Sequence, residues 1–355
     1  METRYNLIWI YFFQVFFYNL TIKDHRVLSS DHQYKKELEF SLRIVAACAR
    51  ITRSVQETHI VNQEKADRSP VTIADYAVQA YVAQALKAEF PQDVLIGEES
   101  SGGLQESEVI LQGVTQQVQA LLPQATPGEV CAWIDHGKGE PSLRFWVLDP
   151  VDGTKGFLRR MQYATALALV EDGEVVLGVL GCPELDFGGL HGGMAYAALG
   201  QGAWWQALDG NQTPQALHVS AQEDLPKIRI LRSFEDSHTN SSQIDALAAD
   251  LGITAEPVRM DSQVKYVLLA GGQAELLLRL LSSDNPDYRE SIWDQAPAYR
   301  VLLEAGGSMT DMYGRELDFT AGKKLSRNQG VIASNGLIHT TALNFFAQNQ
   351  KNPNG

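Results

Sequence analysis

Apolar residues recur at helical spacing early in the chain. Residues 36–57 carry Leu38, Leu42, Val45, Cys48, Ala49, Ile51 and Val55 with Lys, Glu and Arg between them, the period of an amphipathic helix with a solvated charged face. A second helical pattern covers residues 77–90 and stops at Pro91; Thr72, with Asp75 three residues later, reads as its N-cap and capping-box partner. A short apolar strand follows at residues 94–96 and runs into Gly97, Glu98, Glu99 and Ser100. Residues 102–142 are less regular, with a helix expected over 109–122 and loops at 123–127 and 137–141. The apolar run 145–148 reads as a strand that ends at Asp149. Residues 164–170 and 175–180, joined by Glu171, Asp172 and Gly173, read as a hairpin. Residues 194–197 and 203–205, on either side of Gly200 and Gly202, read as another. His191 sits among glycines with no second His at ligand spacing and is expected in a loop.

Residues 208–216 are polar, contain Gly210 and Pro214, and are expected to link two parts of the chain. Beyond them the pattern alternates: strand 228–231, helix 244–251, strand at Val258, helix 264–270, strand 274–280, and helix 298–305 stopped by Gly306 and Gly307. Linked strands after two helices suggest an α+β unit over residues 34–210, and the alternation suggests an α/β unit over 217–345, with a tail at 346–355. Residues 1–33 stand apart. The run 7–20 is strongly apolar, but its fourteen residues fall short of the roughly 20 that span a bilayer, and no clear secretory cleavage pattern follows. The readings are an upstream-extended start with initiation near Val27 or Leu28, a membrane-associating segment, or a packed extension.

With 355 residues, 45% of them hydrophobic, the chain is long enough for two packed units. Its net charge of −14 argues against a nucleic-acid polymer as partner, because that binding needs Lys and Arg on phosphates. It leaves room for a small phosphorylated ligand, since bound cations reverse the local field. Cys48, Cys131 and Cys182 are scattered without CxxC spacing and read as reduced thiols of a cytoplasmic protein. Nothing in the pattern sets an oligomeric state.

The densest chemistry lies at Asp149-Pro150-Val151-Asp152-Gly153-Thr154. Two carboxylates three residues apart at a strand end, with Pro150 stiffening the turn, offer the hard oxygen ligands that magnesium requires, and the Val151 carbonyl is a further candidate. A helix opening near Gly153 would point free amides at an anion. Residues of these types also make an ordinary turn. Likewise Asp75 reads as a cap, Glu98 and Glu99 as a surface pair, and Asp294 as a helix-dipole partner. Ser262 and Lys265, three apart at a helix start, suit an anion, as does Arg279 after a strand; each alone is more often solvated.

The D-P-V-D-G-T sequence resembles the motif of the lithium-sensitive, magnesium-dependent phosphatases of the inositol monophosphatase superfamily. The continuation Lys155-Gly156-Phe157-Leu158-Arg159 is closer to its 3'(2'),5'-bisphosphate nucleotidases. S-P-V-T-x-x-D at Ser69–Asp75, G-E-E-S at Gly97–Ser100 and W-D-x-A at Trp293–Ala296 match its other segments. Two positions depart from the pattern: Arg160 and Ala298 stand where the family usually has Gly. The resemblance implies a layered α/β/α/β/α sandwich like that of inositol monophosphatase and fructose-1,6-bisphosphatase. It implies two to three Mg2+ held by Glu98, Asp149, the Val151 carbonyl, Asp152 and Asp294, with Glu99 in support. Asp75 and Thr154 would orient a metal-activated water for direct attack on phosphorus. Gly153, Thr154 and Asp294 would also touch the substrate, with Ser262, Lys265, Arg279 and His238 on the rest of a nucleotide. The implied substrate is adenosine 3',5'-bisphosphate, cleaved to AMP, and the 5'-phosphosulfate is a second candidate. Inositol phosphates and a non-catalytic metal or nucleotide sensor are the alternatives.

Overall fold

The computed structural model describes residues 32–58, 62–64, 70–234, 240–281 and 287–351. The apolar run 7–20 and His238 lie outside the described residues. Helix α1 (Lys35–Glu57) buries Leu38, Leu42, Val45, Cys48, Ile51 and Val55 along one stripe, as its period requires. Strands β1 (Asn62–Glu64) and β2 (Pro70–Thr72) form an antiparallel pair. α2 (Ile73–Glu89) starts at the Thr72 cap with the capping box in place.

β3 (Val94–Gly97) and β4 (Arg144–Asp152) pair in parallel; between them lie α3 (Glu108–Gln119) and α4 (Pro127–His136). The short α5 (Thr154–Leu158) follows β4. β5 (Ala164–Glu171), β6 (Glu174–Phe187), β7 (Leu190–Ala198), β8 (Ala203–Ala207) and β9 (Gln215–Leu217) continue as antiparallel neighbours, completing a seven-stranded sheet in chain order. A second sheet has five strands in the order β11-β10-β12-β14-β13. They are β10 (Ile230–Arg232), β11 (Val258–Arg259), β12 (Leu276–Arg279), β13 (Ser308–Thr310) and β14 (Val331–Ser334). Helices α6 (Ser241–Asp250), α7 (Val264–Ala270), α8 (Ala296–Glu304) and α9 (His339–Lys351) are interleaved with it.

Apolar faces assemble these elements into five layers. One face of the seven-stranded sheet (Trp146, Leu148, Leu167, Leu169, Val179) packs on α1 to α4 through Leu38, Val45, Val78, Val114 and Ile134. The other face (Phe145, Val147, Ala166, Ala168) shares a core with Val264, Val267, Val301 and Leu302 of α7 and α8, and with Leu231, Leu277 and Ala333 of the second sheet. The outer face of that sheet (Ile230, Leu276, Leu278, Ile332) is covered by α6 and α9 through Ile244, Leu247, Phe345 and Phe346. The result is an α/β/α/β/α sandwich, and because each strand alternates its side chains between faces, both inner faces are apolar.

Three details differ from the pattern reading. His191 is in β7 rather than a loop, its Nδ1 2.8 Å from Asp186 Oδ1. The polar stretch 208–216 ends inside β9, where backbone pairing with β8 outweighs its low apolar content. Helix α4 lies in the region expected to be irregular; a Thr126–Glu129 capping box and Pro127 start it, but only Val130 and Ile134 are buried, too few for a clear period. Cys48 and Cys182 are buried and Cys131 is half-buried, all as free thiols.

Candidate metal and phosphate site

In a regular strand, residues three apart face opposite sides of the sheet. Asp149 pairs with Ala166 and Asp152 with Ala164, and the register shifts between them. That bulge, with the Pro150 carbonyl accepting from Thr165 Oγ1 at 2.9 Å, turns both carboxylates to one side. Glu98 is brought alongside because β3 runs parallel to β4, with Glu98 N–H donating to the Leu148 carbonyl at 3.2 Å. The fourth acid comes from a 3-10 turn, Ile292–Asp294, where the Ser291 N–H donates to Asp294 Oδ2 at 3.3 Å. Ligand oxygens of Asp149, Asp152 and Asp294 lie within 4.8 Å of one another.

Asp75 reaches the same corner from the first turn of α2. Its Oδ2 accepts from the Thr72 N–H at 2.8 Å and Thr72 Oγ1 at 2.6 Å, which leaves Oδ1 facing Thr154 Oγ1 at 3.5 Å. Thr154 Oγ1 is also 3.1 Å from the Val151 carbonyl oxygen, so that carbonyl already accepts one proton and keeps a second lone pair. Gly153 adopts φ 87° before α5, a backbone that glycine adopts freely. A Cβ there would sit 2.7 Å from Ser262 Cβ, so the two halves of the site meet at this residue. Glu99 is buried, and its peptide is clasped by Gln79, whose Oε1 accepts from Glu99 N–H at 2.8 Å and whose Nε2 donates to the Glu99 carbonyl at 2.7 Å.

Crowded buried carboxyls hold their protons. Burial, followed by the charges of Glu98, Asp152 and Asp294, pushes Asp149 well above the carboxylate range. Burial raises Asp152 to about 6, against the lowering influence of the Gln263 N–H, Arg279 and Lys265. Burial and then the Glu290 charge raise Asp294 to about 8, with Arg279 opposing. Asp149 Oδ1 is buried with no hydrogen-bond partner among the described residues. An acid cluster with a buried, unsatisfied oxygen fits a hard cation, which could be held by the carboxylates of Glu98, Asp149, Asp152 and Asp294 and the Val151 carbonyl.

Beside the acids stand two cations, Lys265 buried and Arg279 half-buried. Lys265, on α7, donates from Nζ to Ser233 Oγ at 2.7 Å; burial, with Arg279 nearby, lowers it to about 8. Arg279, at the end of β12, pairs with Glu290 at 2.8 Å. Both line a small cavity of about 20 Å³ with Arg232, Ser233 and Ile244. Ser262 is left-handed (φ 62°) and its Oγ accepts from the Val264 N–H at 3.2 Å. Of the residues expected from sequence, only His238 falls outside the described residues. Sequence reasoning missed Gln263, whose N–H bonds Asp152, and Glu290, which holds Arg279 and accepts from Gln295 Nε2 at 3.0 Å. A buried amide and a backbone N–H leave no periodic signal.

The profile described as the inositol monophosphatase family matches residues 33–351. The chain belongs to that family. A 3',5'-bisphosphate nucleotidase 2 of Arabidopsis thaliana is 39% identical over 329 residues, covering 85% of this chain and 93% of the relative. A 3'(2'),5'-bisphosphate nucleotidase 1 of Candida albicans is 34% identical over 356 residues, covering 90% and 97%. The solved Thermotoga maritima IMPase is 19% identical with a TM-score of 0.62, over 89% of this chain and 98% of that one, which establishes the shared fold. Membership makes the chain an enzyme of phosphatase type, and the residues at the corner described above fall on the segments that carry the family resemblance. No helix among the described residues is long and apolar enough to cross a membrane.

Proposed function

We propose that this chain is a cytoplasmic, magnesium-dependent 3'(2'),5'-bisphosphate nucleotidase that hydrolyses adenosine 3',5'-bisphosphate to AMP and phosphate. The observation that carries the reading is the convergence of Asp149, Asp152 and Asp294 oxygens within 4.8 Å, next to the buried Lys265 and the half-buried Arg279. The nucleotidase names of relatives at 34% and 39% identity support the substrate class. Two or three Mg2+ would be held by Glu98, Asp149, the Val151 carbonyl, Asp152 and Asp294, supplying positive charge at the phosphoryl oxygens and a more acidic water.

The chain's own groups do the rest. The Thr154 hydroxyl donates to the Val151 carbonyl, and its oxygen accepts a hydrogen bond from the attacking water. Asp75 Oδ1, opposite it, receives the proton that water gives up. Lys265, Arg279 and Ser262 bind the phosphate that does not react, fixing the nucleotide so that its 3'-phosphate faces the acids. Water adds to phosphorus as the P–O ester bond breaks; the leaving 3'-oxygen takes a proton from solvent water, the proton held by Asp75 returns to solvent, and no covalent enzyme intermediate is required.

Asp152→Asn tests the acid cluster. It preserves shape and the acceptor for the Gln263 N–H, so phosphate release should fall by about a hundredfold or more while the chelated protein melts no lower than wild type, having lost a buried like charge. An unchanged rate would remove the cluster from the mechanism.

A further inference from the structure

Gln263 is 1% exposed and touches both acid-bearing segments. Its backbone N–H donates to Asp152 Oδ2. Its side-chain Nε2 donates to the Trp293 carbonyl at 3.1 Å, the peptide immediately before Asp294. One residue therefore joins the β4 corner to the 3-10 turn that delivers Asp294. It also begins α7, which carries Lys265.

The amide orientation follows from the Trp293 carbonyl, because reversing the group would set two acceptors against each other. Held this way, Gln263 Oε1 is buried with no hydrogen-bond partner among the described residues. A buried acceptor without a donor lowers stability, and an apolar side chain of the same shape would not incur that loss. The Nε2 bond to the Trp293 carbonyl offsets that loss, so for folding alone the amide is close to neutral. The neighbouring segment is constrained in the same sense: Ser262 is left-handed at φ 62°, and its Cβ would lie 2.7 Å from any Cβ at Gly153. Tyr266, one turn on, donates to Gln295 Oε1 at 2.6 Å, giving α7 a second tie to the Asp294 segment.

We propose that Gln263 is a positioning residue that sets the separation of Asp152 and Asp294, so that their carboxylates meet a cation at the spacing it requires. This rests on the metal-dependent reading of the site. Carboxyls that give up their protons to meet a cation repel one another until it binds, and Gln263 supplies a neutral tie that adds no charge to the cluster. Its effect reaches the metal through Asp152 and Asp294, and it makes no contact with the substrate in this account.

The test is the rise in melting temperature of the full chain on titration with magnesium chloride alone, without nucleotide, for wild type, Gln263→Met and Gln263→Ala. The chelated proteins give the intrinsic stability of each in the same experiment. Met keeps the volume, removes the unsatisfied Oε1 along with the Nε2 bond, and should leave the chelated melting temperature close to wild type; Ala leaves a cavity and should lower it further. Both should weaken magnesium binding by about tenfold, equivalent to about 1.4 kcal/mol, since both lack the amide. Equal metal loss at unequal stability is the expected result. Magnesium affinity that stays at the wild-type value, or that follows melting temperature from Met to Ala, would overturn the proposal. Absence of any magnesium effect on wild type would instead overturn the metal reading itself, and this inference with it.

Discussion

At the residue scale, Arg160 shows how a departure from a family pattern is accommodated. The position usually held by glycine has φ 56°, a conformation that costs an L-residue about 1 kcal/mol. Arg160 offsets this by donating from Nη2 to the Gln56 carbonyl at 2.8 Å. Arg160→Gly should thus be near neutral, trading a hydrogen bond for relaxed backbone. Arg160→Ala keeps the strain and loses the bond, and should be less stable than the Gly variant by about 1 kcal/mol in urea unfolding. Equal stabilities would mean that the left-handed conformation carries no cost here. The Thr72–Asp75 pair was legible at this scale because a capping box has a fixed spacing; its geometry is confirmed by the Thr72 N–H and Oγ1 contacts to Asp75 Oδ2. Gln263, Glu290 and Gln295 were not legible, since their partners are distant in sequence and each is a single polar residue without a pattern.

At the element scale, the acids depend on how α8 is seated. Gly178, in β6, would place a Cβ 2.2 Å from the Pro297 carbonyl oxygen, three residues after Asp294. Ala298 fills its own place in the core, fully buried, so the close backbone approach in this contact is made at Gly178. Gly178→Ala must push α8 away and should cost about 1–3 kcal/mol, with weaker magnesium activation because Asp294 moves with the helix. Gly128→Ala, whose Cβ would meet nothing within 4 Å, is the control and should be neutral or slightly stabilising. If both variants behave alike, the contact is not what seats the helix. The amphipathic helix α1 and the two hairpins at β5–β6 and β7–β8 could be read from period and turn residues. β13, β14 and α9 could not: the first two have three and four residues, and α9 buries a sparse set that includes Ala342, Phe345 and Phe346.

At the scale of the whole molecule, two sheets and their shared core bring together acids that the sequence spreads from Asp75 to Asp294. Composition cannot show that convergence; family resemblance could, because each motif stands at a strand end or helix start. The assembled cluster has a linked pH signature. The folded-state values of Asp152 and Asp294, about 6 and about 8, lie above the unfolded carboxylate value of about 3.9. The folded, chelated protein therefore holds protons that the unfolded chain has released, and it loses stability as pH rises from about 4 towards 8. A cation competes with those protons, so the magnesium-induced rise in melting temperature should be larger at pH 8 than at pH 6. A rise independent of pH would separate metal binding from these carboxyls.

The most direct test of the whole account is phosphate release by the purified chain from adenosine 3',5'-bisphosphate and inositol 1-phosphate side by side, with magnesium and with chelator, identifying the nucleotide product. The account predicts magnesium-dependent formation of AMP with little release from inositol 1-phosphate. Preference for inositol 1-phosphate would contradict the nucleotide role of Ser262, Lys265 and Arg279, and equal release in chelator would contradict the metal site.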